Sequence, residues 1–431
     1  MRLPDARRRR YWRSIVRAGP TEIGYAYFRA RRRRRDRADD APVLAEGEAL
    51  ARDPALDATP AELAANARTV AAWRAAPGPR AIRSVQWFVP WFHNPWGGGI
   101  HTALRIADHA ARIHGAESRF HLYDRSDPGV IAPVRARIAA AFPALAAAPV
   151  TVAGERLGAT DAAFATSWTS AYRVLRHTEA PAKFFLVQDF EPAFHPAGSA
   201  SALLGEAARL GFPGIVNTPG LADAYRAEGG IAVAFTPAVD GARFHPPATP
   251  AAEPPTRVVF YGRPRTARNA FVLGTRALAL LKARLGDRVE IVCAGEDWNP
   301  GAYGLHGVLR NLGALQSMDA VAELYRSAHV GLVLMLTRHP SYQPFEFAAS
   351  GMAVVSNANP WTGWLLRHEE TALLAPPLPS LLADQLARAV EDRALRARVA
   401  AGGRAAMTAT TWEAELERVW RAVTKDGVDF V

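Results

Sequence analysis

The stretch Phe260-Tyr261-Gly262-Arg263-Pro264-Arg265-Thr266-Ala267-Arg268-Asn269 gathers three arginines between an apolar run and the start of a helical pattern. Guanidinium groups present paired donors, and a helix N-terminus presents unpaired N–H groups at the positive end of its dipole. Gly262, Arg263, Arg268 and Asn269 therefore suit a diphosphate, with an ordinary surface loop of an arginine-rich chain as the competing reading. A second run, His339-Pro340-Ser341-Tyr342-Gln343-Pro344-Phe345-Glu346, follows another apolar run and begins a helix near Gln343. Glu346 falls in the first turn of that helix, where a carboxylate complements the dipole and accepts hydrogen bonds from sugar hydroxyls. Asp189 and Glu191 follow the apolar run 183–188, a pairing suited to a base, a cation stabiliser or an acceptor-orienting site. Gly97, Gly98 and Gly99 lead into a further helical pattern, permitting positive φ and close approach of backbone to a ligand. His101 and His93 flank them as candidates to orient an acceptor hydroxyl, although a lone loop histidine is more often structural.

These residues need elements that deliver them to one place. From Arg83 onward, short β-rich runs alternate with helical stretches, the βαβ rhythm of a parallel sheet. The first series places strands at 84–90, 119–123, 162–168, 183–188, 214–217 and 232–235, with a helix over 100–114. The proline-rich stretch 246–255 then breaks the rhythm and reads as an interdomain linker. The second series places strands at 257–261, 289–294, 308–312, 330–336 and 353–356. The fold expected is α/β, two doubly wound parallel-sheet domains facing each other across a cleft beyond the strand carboxyl ends. The expected divisions are a basic aromatic tail at 1–40, a linker with short helices at 41–80, an acceptor-side domain at 81–245, a nucleotide-sugar domain at 256–410, and a final helix at 411–431 that packs back on the first domain.

The two motif-bearing runs resemble the carboxyl-terminal half of the GT4-like GT-B glycosyltransferases. That resemblance implies that Gly262, Arg263 and Arg268 hold the donor diphosphate and that Glu346 contacts the nucleotide ribose. The family pairs this Glu with another eight positions earlier, where the present chain has Arg338. The run His-Pro-Ser-Tyr ahead of Pro-Phe-Glu is similar to the WsaF-type rhamnosyltransferases. Trp87-Phe88-Val89-Pro90 leading to Gly97-Gly98-Gly99-Ile100-His101-Thr102, and Phe185-Leu186-Val187-Gln188-Asp189-Phe190-Glu191-Pro192, are similar to the same group. The resemblance covers residues 83–420 and implies a retaining hexosyltransferase moving L-rhamnose from dTDP-L-rhamnose to a glycan, in cell-surface polysaccharide or glycoprotein glycan synthesis. Taken with the residue chemistry above, donor binding is expected at Gly97–Gly99, His101, His339, Ser341, Tyr342 and Asn269 besides the arginines and Glu346, catalysis at Asp189, Arg263 and Arg268, and acceptor binding at Asp189, Glu191 and His93. No Asp-x-Asp motif is present for a metal–diphosphate, so no metal or other cofactor is expected and the arginines are left to neutralise the leaving group.

Composition narrows the alternatives. Residues 1–37 hold fourteen arginines against three acids, so the formal net charge of +11 sits in that segment and the remaining body is neutral. A neutral body argues against a nucleic-acid-binding fold, whose own surface would carry the phosphate-neutralising stripe. Arginines interleaved with Tyr11, Trp12, Ile15, Tyr25, Tyr27 and Phe28 suit an anionic membrane surface as well as they suit a solvated tail. With one cysteine, Cys293, inside an apolar run, no intrachain disulfide can form. No signal-peptide pattern and no run of eighteen apolar residues is present, so a cytoplasmic protein is expected, peripheral on the inner face of the plasma membrane if the tail binds lipid. A sugar-nucleotide epimerase and a non-catalytic GT-B binding module stay open as alternatives. The phosphate-binding fingerprint of dehydrogenases is absent.

Overall fold

The computed structural model describes residues 53–249 and 252–431, so the basic tail and the first part of the 41–80 segment lie outside the described residues. Two parallel sheets organise the chain. The first comprises β1 (Ser84–Val89), β2 (Glu117–Leu122), β3 (Val150–Val152), β4 (Ala162–Ala165), β5 (Ala182–Val187), β6 (Gly214–Asn217) and β7 (Ala232–Phe235), in the order β3-β2-β1-β4-β5-β6-β7. The second comprises β8 (Thr256–Gly262), β9 (Val289–Gly295), β10 (Arg310–Asn311), β11 (Val330–Leu332), β12 (Ala353–Asn357) and β13 (Leu373–Ala375), in the order β10-β9-β8-β11-β12-β13. Helices cover both faces of parallel strands, which is why β5 is apolar almost throughout and buried along its whole length. Strand order reverses between β1 and β4, paired through Val85 and Ala162, and between β8 and β11, paired through Val258 and Val330. At such reversals the connections leave to opposite sides and open a crevice beyond the carboxyl ends of the strands.

The two crevices are built from local sequence signals. After β1 the chain turns through residues 90–97 into the helix Gly98–His114, whose Ala103, Leu104, Ile106, Ala107 and Ala110 are buried and whose end is set by Gly115 in the left-handed conformation. After β8 the loop passes through a short turn at Ala267–Asn269 before the helix Phe271–Leu285 begins, so the arginine loop precedes that helix by more than the sequence pattern suggests. β11 is shorter than the apolar run 330–336, because Asn357 captures the chain: its side-chain amide donates to the Met335 carbonyl at 2.9 Å and accepts from the Met335 N–H at 2.9 Å. This exchange replaces the strand ladder and turns residues 335–339 outward. β4 similarly stops at Ala165, where Ser167 caps the helix Trp168–Arg176.

Residues Ala58–Val431 form one compact unit. Within it the segment read as linker contains a sixteen-residue helix, Pro60–Ala75, opened by a capping box between Thr59 and Glu62. Trp73 on this helix is buried beside Phe184 and Phe430, so the helix belongs to the core of the first sheet. The carboxyl-terminal helix Trp412–Val423 joins the same core through Trp412, Leu416, Val419, Trp420 and Val423, although it follows the second sheet in the chain. No described helix is long and apolar enough to cross a membrane.

Candidate active site

A cavity of about 750 Å³ opens between the carboxyl ends of the two sheets. Twelve of the fifteen residues singled out in the sequence line it: Gly97, Gly98, Gly99, His101, Asp189, Glu191, Arg263, Arg268, His339, Ser341, Tyr342 and Glu346. The other three sit elsewhere. Asn269 is buried behind the cavity with its amide on the Met335 sulfur, and Gly262 is buried where a Cβ would meet Cys293 Sγ at 2.2 Å. His93 is exposed and packs edge-on against Trp91 at 4.1 Å, outside the cavity lining.

The three glycines do not use the freedom expected of them. None of Gly97, Gly98 and Gly99 has positive φ; Gly97 has φ −72° and serves as N-cap of the helix Gly98–His114. What the glycines provide is the absence of side chains. No side chain caps this helix, a Cβ on Gly98 would meet nothing within 4 Å, and Gly97, Gly98 and Gly99 all line the cavity, so the helix opens beside it without a capping side chain. Gly99 lies close under Gln188, whose Nε2 would stand 3.1 Å from a Cβ there.

Across the cavity, the Arg268 guanidinium lies over the Phe194 ring at 4.2 Å, with its Nε 4.0 Å from Asp189 Oδ2. Arg263 is held by Glu296 at 3.2 Å and by the Tyr261 hydroxyl at 3.2 Å. These partners fix both guanidinium groups while leaving N–H groups free to face a ligand. Asp189 accepts from its neighbour's N–H at 2.7 Å and from the Thr337 hydroxyl at 3.2 Å. Burial nevertheless prevails over these bonds and Arg268, and pushes the Asp189 carboxyl up to about 6. Glu191 accepts from the Trp168 N–H at 3.0 Å, and burial together with the nearby Asp189 charge pushes it up to about 8. The Glu346 carboxyl has no hydrogen bond or ion pair among the described residues, and burial alone pushes it to about 8. At neutral pH Glu191 and Glu346 are thus largely protonated, and the wall is dominated by Arg105, Arg243, Arg263 and Arg268 against Asp189 and Asp240. Such a wall favours a polyanion.

The His339 run forms a tight turn with Ser341 at φ 68°. His339 Nδ1 accepts the Ser341 N–H at 2.9 Å, which places the ring proton on Nε2. Burial and the charge of Arg268 lower its pKa to about 3, so the ring stays neutral, and its buried Nε2 has no partner. Tyr342 crosses the cleft: its hydroxyl meets Thr102 Oγ1 at 2.6 Å and receives the Asn217 amide at 3.0 Å. His101 contacts the Pro95 carbonyl through Nδ1 and accepts from Arg105 Nε at 2.8 Å, and burial beside Arg105 lowers its pKa to about 3.

Sequence reasoning missed Arg105, Arg243 and Trp412, all of which line the cavity. Arg243 pairs with Asp240 at 3.0 Å and Asp319 at 2.8 Å, and Arg105 lies over Trp412 at 4.8 Å. No local motif marks them; the returning helix and the interdomain segment bring them in. Arg338, standing where a glutamate was expected, is stacked between Phe190 at 3.9 Å and Trp361 at 4.5 Å and does not line the cavity.

Two parallel-sheet domains of this topology are found among known proteins. Residues 256–387 match the family described as WsaF, C-terminal domain. The structure of sucrose-phosphate synthase from Thermosynechococcus elongatus superposes with a TM-score of 0.57 at 16% identity, covering 79% of this chain and 98% of that one. HepE from Anabaena in complex with UDP superposes with a TM-score of 0.58 at 13% identity, covering 80% of this chain and 100% of that one. The fold is that of the GT-B glycosyltransferases, and the chain resembles WsaF. The O-antigen biosynthesis protein RfbC of Myxococcus xanthus is 46% identical over 355 residues. That alignment covers 80% of this chain and 27% of the relative, so the chain spans little more than a quarter of RfbC.

Proposed function

We propose that this protein is a retaining glycosyltransferase that moves L-rhamnose from dTDP-L-rhamnose to a glycan acceptor in cell-surface polysaccharide synthesis. The observation that carries the reading is the convergence of Arg263, Arg268, the open N-terminus of helix Gly98–His114 and the unpartnered Glu346 on one cavity. The chemistry of these groups meets the needs of a sugar nucleotide, with cations for the diphosphate and a carboxyl for the ribose. The structural neighbour HepE is in complex with UDP in one structure and with UDP-glucose in another, which supports this ligand class. The relative's role in O-antigen biosynthesis supports a polysaccharide product.

In this reading Arg263 and Arg268 neutralise the charge that develops on the departing diphosphate, where prepositioned donors act without reorganising. His339 donates its Nε2–H to a phosphate or sugar oxygen, a role open to a neutral ring and independent of pH above about 3. The leaving phosphate takes the acceptor proton, and Asp189, ionised above about 6, orients the acceptor hydroxyl. No metal is assigned to the reaction. Calorimetric titration with dTDP, UDP, GDP and NAD tests the proposal. A preference for dTDP that is lost in Arg263→Ala supports it; a preference for UDP or GDP keeps the transferase and removes rhamnose; binding of none of the four overturns it.

A further inference from the structure

Away from the sugar cleft, three side chains with metal-ligating chemistry converge between two helices that belong to opposite ends of the chain. His109 and His114 lie in the last turns of helix Gly98–His114, and Glu417 lies in the carboxyl-terminal helix Trp412–Val423. Glu417 Oε2 stands 3.1 Å from His109 Nε2 and 2.8 Å from His114 Nε2, and the ligand atoms of all three residues lie within 4.8 Å of one another. We infer that His109, His114 and Glu417 bind a divalent transition-metal ion, Zn²⁺ by ligand class, and that this ion staples the carboxyl-terminal helix to the helix whose other end forms the cleft.

The geometry is close to that of a loaded site. Zn²⁺ holds imidazole and carboxylate ligands at about 2.0–2.1 Å, which places neighbouring ligand atoms of a tetrahedron about 3.4 Å apart. The two nitrogen–oxygen separations therefore need a change of about half an ångström. The rings are also set in place. His109 is 4% exposed, and His114 stacks on Trp420 with centroids 5.2 Å apart and planes inclined by 21°. The side chains of His114 and Glu417 are 26% and 40% exposed, which gives an ion a route in and leaves a fourth position to water. Two imidazoles with one carboxylate select Zn²⁺ and its neighbours over Mg²⁺ or Ca²⁺, which prefer oxygen ligands throughout.

None of the three residues lines the cleft, so the ion would act on stability and not on sugar transfer. The two helices meet at their other ends where Arg105 lies over Trp412 in the cleft wall, which links the staple mechanically to the site. The test uses the full chain, freed of metal with chelator and titrated with ZnCl₂ in a calorimeter, with thermal melting run in parallel. One Zn²⁺ per chain and a rise in melting temperature are expected. In His114→Gln and Glu417→Gln the affinity should fall by more than the roughly 10- to 100-fold that even an outer-shell partner is worth. Both positions are partly exposed, so the variants keep their fold where a change at buried His109 risks losing it. Absence of Zn²⁺ binding in the parent chain overturns the inference, as does binding that survives unchanged in both variants.

Discussion

Arg268 and Asp189 illustrate how burial and pairing divide control of the cleft. At 4.0 Å their contact is at the outer limit of an ion pair, and the Asp189 carboxyl still rises to about 6. Desolvation has outweighed attraction, and the guanidinium, supported by Phe194, retains donors for a ligand. Arg268→Ala and Arg263→Ala should each weaken dTDP binding about 10- to 100-fold, the range of a lost charged hydrogen bond, with little change in acceptor binding; equal small effects on both would remove the assignment. Loss of Arg268 should also move the Asp189 titration upward, seen as a shift of the acidic limb of the pH–rate profile. Glu346 carries a separate consequence. Its proton is bound more tightly in the folded chain, with a pKa near 8, than in the unfolded chain, so the folded state loses stability as pH rises from the ordinary carboxylate range towards 8. Glu346→Gln lifts that loss. Its melting temperature should match the parent at pH 4.5 and exceed it by about 2 °C or more at pH 8.5, while nucleotide binding falls. A variant no more stable than the parent at pH 8.5 would mean that Glu346 is not held against its own desolvation.

At the scale of elements, the clearest contrast is between two helix openings. Gly98 starts helix Gly98–His114 with open space around its missing side chain, whereas a Cβ on Gly220, at the start of helix Pro219–Ala227, would stand 2.1 Å from the Trp361 carbonyl oxygen. Gly220→Ala must therefore displace backbone and should cost about 1–3 kcal/mol, read in chemical denaturation. Gly98→Ala should leave stability unchanged or slightly raised, yet reduce nucleotide binding if phosphates approach that helix end; unaltered binding would remove the helix N-terminus from the donor site. The same elements explain what was legible in the sequence. Strand-to-loop junctions such as Tyr261–Arg263 and Val187–Asp189 were readable, because a buried parallel strand is a continuous apolar run and its end is where chemistry emerges. β3 and β13 were not, since three residues carry no period. The run 330–336 read as one strand because the Asn357 exchange that ends it is a contact between distant residues. Helix Pro60–Ala75 read as a short helix of a linker, and not as part of the core, because its composition, rich in alanine and charge, hides the one residue, Trp73, that anchors it. Arg105, Arg243 and Trp412 could be found only once the topology had folded both ends of the chain onto the cleft.

For the molecule as a whole, charge is distributed unequally along the chain. Fourteen arginines and three acids within residues 1–37 account for the net charge of +11, and residues 38–431 together are neutral. We propose that this segment brings the protein to an anionic membrane surface. A basic residue near such a surface contributes about 1 kcal/mol, and screening confines the effect to about 8 Å at physiological salt. If as few as about four arginines reach that layer, the attraction amounts to about 4 kcal/mol, close to a thousandfold in partitioning. The aromatic residues interleaved with them, Tyr11, Trp12, Tyr25, Tyr27 and Phe28, would add an interfacial term that salt does not screen. Deletion of residues 1–40 should thus abolish co-sedimentation with phosphatidylserine-containing vesicles while leaving dTDP binding intact, because the donor-site arginines and Glu346 all lie in the second half of the chain. Raising the salt should weaken sedimentation of the full chain without eliminating it, the remainder reporting the aromatic contribution. A deleted form that sediments as well as the full chain would move the membrane contact to residues 41–431 and overturn the proposal.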